Sequence, residues 1–246
     1  MKHLFFNLLF LIGFFSLHAQ KTPDATAILD NVDKNMTAKS QIVTAKMEIN
    51  TARATRTMEM KSWTVGDKKS FTEYLAPARE KGTKMLKLNN QLWIYSPSTD
   101  RTIQISGHML RQSVMGSDMS YEDMMTDKKM TEQYKAEVTG EETIDGRKCW
   151  VLTLTAIVAD INYYSQKVWV DQERMVLLQA QLFAKSGKML KQISFSNIEK
   201  VQNRWYSKVF VYKDMLKDGK GTRMTITSVQ LDANIPESVF NKGNLK

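Results

Sequence analysis

Residues 93–126 read WIYSPSTDRTIQISGHMLRQSVMGSDMSYEDMMT. Trp93 to Tyr95 is a short apolar run. Pro97-Ser98-Thr99-Asp100 follows, rich in turn formers, with Pro97 presetting one backbone angle. Thr102 to Ile105 resumes an alternating pattern, so the first half of the stretch reads strand, tight turn, strand. The pattern then breaks over Gly107 to Ser117, and methionines accumulate: six between Met109 and Met130. Methionine is unbranched and polarisable, so a surface built of it repacks around ligands of different shape. The second half therefore reads as an adaptable cover carried by a sheet over an apolar cavity. Ser120 with Asp123 three residues later resembles a capping box, Asp standing where Glu is usual. It predicts a short helix over Tyr121 to Lys128, with Met124 and Met125 facing inward and Glu122 outward.

Upstream, Thr22-Pro23-Asp24 reads as a helix start, a capping hydroxyl and then proline at the first helical position. Ala25, Ile28, Leu29, Val32 and Met36 recur at spacings of three and four, predicting one amphipathic helix that ends near Ser40. From Gln41 the period changes to two. Strands are predicted over 41–50, 56–65, 68–75, 83–88, 91–96 and 100–106. Downstream they are predicted over 134–144, 148–157, 163–170, 175–184, 189–198, 205–213 and 221–231. Asp145-Gly146 is a strong hairpin turn. Ile235 to Phe240 reads as a terminal helical turn with Phe240 in the core.

Consecutive strands joined by short turns make an antiparallel meander, and a sheet this wide must curl. The fold class is mainly β (α+β): a strongly curved antiparallel sheet forming an incomplete barrel, with helices covering the concave side. A closed lipocalin-type barrel is the alternative, and a half-barrel with helices laid across its open side uses the helices better.

The first 19 residues read as a secretory signal peptide. Lys2 precedes an almost wholly apolar run from Leu4 to Leu17, and Ala19 supplies a small residue for cleavage. The run is shorter than the roughly 20 residues that span a bilayer. Residues 20–246 are expected to form a single domain acting in the periplasm. Cys149 is the only cysteine, so intramolecular disulfides are excluded and the thiol is expected to be a buried small hydrophobe.

The formal net charge is +9, one unit of it from Lys2. A basic exported surface is attracted to anionic membrane surfaces, with which a transient contact is expected. Lys and Arg are spread along the chain without a nucleic-acid motif, so no nucleic acid is expected as partner. His108 is the one histidine beyond the signal, and it sits beside Gly107 without a nucleophile motif. Zinc sites of the Cys/His type, hydrolytic triads and phosphate-binding glycine loops all lack their residues. No cofactor, metal or catalytic group is expected. The acidic cluster Asp118, Glu122 and Asp123 reads as capping rather than as a cation site.

The runs AREKGTKML (78–86), LWIYSPSTDRTIQIS (92–106), MGSDMSYEDM (115–124) and KVWVDQERMVLLQAQLFAKSGKMLK (167–191) resemble bacterial outer-membrane lipoprotein-sorting proteins. These belong to the superfamily of the lipoprotein carrier LolA, its receptor LolB and the stress regulator RseB. The resemblance covers nearly all of residues 20–246. It implies an incomplete barrel whose concave apolar surface takes acyl chains or other hydrophobic ligands, without catalysis.

The candidate lining is Trp93, Met115, Met119, Tyr121, Met124, Met125 and Trp169. The expected function is a periplasmic carrier or acceptor of lipidated or other hydrophobic cargo. Its partners would be lipoprotein acyl chains and a membrane export or acceptor protein. The alternative is a sensor or adaptor that binds a protein partner. A third possibility, an integral outer-membrane barrel, is disfavoured by the helices and by the ending Asn244-Leu245-Lys246.

Overall fold

The computed structural model describes residues 23–125 and 129–246. The expected signal segment, residues 1–19, lies outside them. Among the described residues, thirteen strands form one antiparallel sheet. The first six are β1 (Ser40–Asn50), β2 (Thr55–Val65), β3 (Lys69–Ala76), β4 (Lys84–Leu88), β5 (Gln91–Ser96) and β6 (Arg101–Ile105). After the methionine-rich segment come β7 (Tyr134–Ile144), β8 (Arg147–Ala156), β9 (Ser165–Asp171) and β10 (Leu177–Phe183). The last three are β11 (Met189–Val201), β12 (Arg204–Asp214) and β13 (Gly221–Leu231). Each half is a meander, because its strands are joined by short turns. Between β7 and β8, Asp145 and Gly146 both take positive φ (48° and 76°) and leave Ile144 paired with Arg147. That is the two-residue turn the Asp-Gly pair encodes.

The halves are joined by β1 and β13, which pair from Gln41↔Leu231 to Asn50↔Gly221. This leaves β6 at one edge of the sheet and β7 at the other. The sheet is curved and does not close. The connection from β6 to β7 therefore has its ends at opposite edges, and its described residues Met109 to Met125 pack on the inner face.

Helix α1 (Ala25–Met36) lies on the same inner face. Its start differs from the sequence expectation. Asp24, with extended backbone, is the N-cap, and its carboxylate accepts from the Thr26 amide at 2.9 Å. The helix stops at Met36, where Thr37 is extended, rather than near Ser40. Ile28, Leu29 and Val32 are buried against Leu152, Leu154, Val168 and Leu177. Leu29 and Val32 are fully buried, each contributing about 1.5–3 kcal/mol.

Alternation along the strands sorts the apolar side chains onto two faces. On the inner face, Ala45, Met47, Met58, Met85, Met224 and Ile226 pack under the methionine-rich segment. The neighbouring inner cluster lies under α1. On the outer face, Phe71, Leu86 and Trp93 are covered by Phe240 and Leu245 from the 3-10 turns Glu237–Phe240 and Lys242–Leu245. Cys149, Val151, Trp169, Val176 and Leu178 form a second outer cluster. Cys149 and Phe240 are buried, as the sequence implies.

Gly221 opens β13 with φ +90°, and a Cβ there would stand 2.4 Å from the Tyr212 carbonyl oxygen. Gly221→Ala is expected to destabilise the protein by about 2 kcal/mol, combining left-handed strain with the collision. A urea unfolding midpoint equal to that of the parent would contradict this.

Candidate ligand-binding site

The segment between β6 and β7 is held down by polar clasps. Its Ser120–Asp123 box forms: the Ser120 amide donates to the Asp123 carboxylate at 2.7 Å, and the Asp123 amide to Ser120 Oγ at 3.3 Å. What it caps is one 3-10 turn, Glu122–Met124. The rest of the helix expected over Tyr121 to Lys128 falls partly on residues 126–128, outside those described.

The Asp123 side chain also reaches the sheet. It is ion-paired with Lys191 of β11 and accepts from the Tyr163 hydroxyl. Both ends of the pair are nearly buried, their side chains 9% and 10% exposed. Burial alone would raise the Asp123 pKa. The Lys191 charge, with hydrogen bonds from Lys191, Tyr163 and the Ser120 amide, outweighs it and holds the carboxyl below its ordinary value. Tyr163 is pushed the other way, first by burial and then by Asp123.

Asp118 makes the second clasp. Its carboxylate accepts from Thr222 Oγ1 at 2.7 Å and from the Asp214 amide at 3.0 Å, while its own amide donates to Thr222 Oγ1. Lys217 donates to Ser113 Oγ at 2.5 Å and to the Ser117 carbonyl at 2.8 Å. Arg56 donates to the Met115 carbonyl at 2.8 Å. The acidic residues of this segment thus fasten a cover to the sheet. Among the described residues, no group of His, Cys, Asp and Glu is arranged to hold a metal ion.

Beside the cover lies a cleft of about 690 Å3, within the roughly 300–1,000 Å3 typical of ligand pockets. Its apolar wall includes Tyr134, Leu177, Ala180, Leu182, Ile193 and Phe195, from the inner faces of β7, β10 and β11. Met125 and Met130 approach from the methionine-rich segment, Met36 from the end of α1, and Asp67, Lys68 and Asn90 form a polar lip. Lys87 is buried near that lip and donates to the Asp67 carbonyl at 2.9 Å. Desolvation lowers its pKa to about 8 against a smaller opposing pull from Asp67. A smaller cleft of about 410 Å3 lies on the far side of the Lys191–Asp123–Tyr163 cluster, with Met119, Leu216 and Lys217 in its wall.

Of the seven residues expected in one lining, Met115, Met119, Tyr121, Met124 and Met125 pack in one inner cluster, and Trp93 and Trp169 lie elsewhere. Met125 lines the larger cleft and Met119 the smaller. Met115, Tyr121 and Met124, packed with them near Met47, Met58 and Met85, stand in the wall of neither cleft. Trp93 and Trp169 are on the opposite face, a correction that follows from strand parity. Trp93 alternates with inward Leu92 and Ile94, and Trp169 with inward Val168 and Val170. Trp93 lies under the Lys242 ammonium, 3.7 Å from its ring centre, and Trp169 donates to Glu142 at 2.8 Å. Most of the cleft wall, Ala180, Leu182, Ile193 and Phe195 above all, went unnamed in the sequence. Its signal was the shared alternation of β10 and β11, which gives a common face without saying which face is inside.

The architecture is an open antiparallel barrel with an inner cleft. A family model described as "-like: Uncharacterized protein" matches residues 66–246, and the chain belongs to that family. No curated protein sequence matches it. Three solved structures share its architecture at 23% identity each. A DUF1329 family protein from Desulfovibrio piger has a TM-score of 0.82, covering 90% of this chain and 98% of that one. An outer membrane lipoprotein-sorting protein domain from Vibrio parahaemolyticus has 0.75, covering 90% and 99%. A LolA superfamily protein from Nitrosomonas europaea has 0.73, covering 89% and 98%. The chain therefore has the LolA-like fold that its sequence resembles. Among the described residues, no helix is long and apolar enough to cross a membrane.

Asp123→Asn leaves the Lys191 charge buried without its ion partner and is expected to cost about 3 kcal/mol; adding Lys191→Met should recover most of it. Because the folded Asp123 pKa is depressed, the pair stabilises fully above the unfolded carboxyl value of about 4 and loses its contribution as pH falls through the folded value. Thermal midpoints measured from pH 7 down to pH 2 for the parent and both variants check this. A single variant as stable as the parent at pH 7 contradicts the clasp.

Proposed function

We propose that the protein is a periplasmic, non-enzymatic carrier or acceptor that holds hydrophobic cargo, chiefly acyl chains of lipidated proteins, in the inner cleft. Residues 1–19 serve as its export signal, and residues 20–246 act as one domain. The observation that carries this reading is the cleft itself: apolar strand faces on one wall, a fastened methionine-rich segment beside it, and a polar lip. Each methylene buried there stabilises a bound chain by about 0.8 kcal/mol, so eight methylenes contribute roughly 6 kcal/mol before binding costs. The LolA-like fold supports the reading as an architecture that places an apolar surface on the inside of a curved sheet. The sensor or adaptor alternative would use the same cleft for a segment of a protein partner, and retention of lipid by the isolated protein separates the two.

Purified protein incubated with a membrane lipid extract is expected to retain lipid when analysed by native mass spectrometry. Ala180→Phe, which fills the middle of the cleft wall, is expected to weaken binding of a fluorescent fatty acid at least about tenfold, the effect of losing two buried methylenes. Thermal melting confirms that the variant is folded. A folded variant with parental affinity, or a parent that takes up no lipid, contradicts the proposal.

A further inference from the structure

We propose that the tip of the β12–β13 hairpin is a docking point for an anionic phospholipid surface, and that docking draws Lys217 away from the methionine-rich cover. The tip, residues 215–220, presents Leu216 and Met215 to solvent at 60% and 40% exposure. Both are large apolar side chains that the fold leaves uncovered. The tip is firmly placed. The Lys220 amide donates to the Asn50 carbonyl at 2.9 Å. Gly219, at φ +111°, lies so close to the β1–β2 turn that a Cβ would come within 2.5 Å of Asn50 O. The Leu216 amide is tied back to the Asp214 carboxylate at 2.9 Å. The outward apolar pair is thus a built feature of the hairpin.

Charge at the tip matches lipid phosphate. By strand order, the β10–β11, β12–β13 and β1–β2 turns follow one another along the same rim of the sheet. They carry exposed Lys185, Lys188, Lys217, Lys220 and Arg53 against the single acid Asp218. Two apolar side chains are too little for the buried centre of a stable protein interface, which takes about 800 Å2 from each partner. Flanked by cations, they suit a phospholipid surface, which offers phosphate at the level of the lysines and hydrocarbon just beneath.

The coupling lies in Lys217. Its ammonium holds Ser113 Oγ and the Ser117 carbonyl of the cover, and it lies 3.6 Å from the Asp214 carboxylate of its own hairpin, a charge it keeps when the cover is released. Lipid phosphate is a stronger acceptor for an ammonium than the neutral hydroxyl and carbonyl that the cover supplies, so those two contacts are the ones it displaces. Leu216 and Lys217 also stand in the wall of the smaller cleft, with Met119. Contact with a membrane therefore competes for the clasp at the place where cover and hairpin meet. The docking stands apart from what the larger cleft holds, while its use in cargo transfer rests on the carrier reading.

Flotation with vesicles of phosphatidylglycerol and phosphatidylcholine in equal parts, and with phosphatidylcholine alone, tests the docking. Binding is expected to the anionic vesicles only and to weaken at high salt. Lys217→Ala with Lys220→Ala should reduce it about tenfold or more, and Leu216→Ser with Met215→Ser should reduce it without changing the melting temperature. Hydrogen exchange at the Val114, Ser117 and Met119 amides should quicken on the anionic vesicles. Equal binding by the tip variants, or no vesicle binding by the parent, overturns the docking. Unchanged exchange in vesicle-bound protein overturns the coupling. Titration of a fluorescent fatty acid without vesicles reports on the larger cleft separately, so failure of the tip and failure of the carrier reading give different results.

Discussion

A curved sheet that does not close has an apolar inner face that its own chain must shelter. Here the constraint is topological as well. Pairing of β1 with β13 puts the two ends of the β6–β7 connection at opposite edges. The described part of that connection packs on the inner face, as a methionine-rich segment whose thioethers pack on Met47, Met58 and Met85. Flexible side chains suit such a contact, because an irregular backbone offers no regular ridges to interlock with the sheet.

The two halves of the inner face are sheltered differently. Under the methionine-rich segment, thioether and aromatic side chains pack on the strand face. Under α1 the helix covers only part of the second meander, and the uncovered remainder is the cleft. Between them stands the cluster of Lys191, Asp123 and Tyr163, nearly dry and internally satisfied. A buried pair of this kind adds little net stability, since desolvation offsets most of the attraction. Its effect is positional: it sets how closely the cover approaches β11, and hence how wide the cleft is.

Much of the fold was legible from local pattern. Period-two alternation located the thirteen strands, with β5, β7 and β13 as expected and the boundaries of the others moved by one to three residues. The Asp145-Gly146 turn, the buried Phe240 and the Ser120–Asp123 box also followed from local rules. The start of α1 did not, because Asp24 and Thr22 are both competent caps and local sequence does not rank them. The site was less legible. Composition drew attention to Trp93, Trp169 and the methionines, but alternation fixes only which residues share a face. Which face is concave depends on the partners that cover it, Phe240 and Leu245 outside and α1 inside. Those contacts are long-range, so a large aromatic residue beside the cover in sequence lies behind the sheet in space.

The account turns on the cleft, bounded by β10, β11 and Met125, being the place where a hydrocarbon chain resides. Methyl-resolved NMR of methionine-labelled protein with a fatty acid spin-labelled along its chain tests it most directly. The account predicts strong broadening of Met125 and Met130, and little at buried Met47 and Met58, which line neither cleft. Broadening confined to exposed Met215, or spread evenly over all methionines, would contradict it.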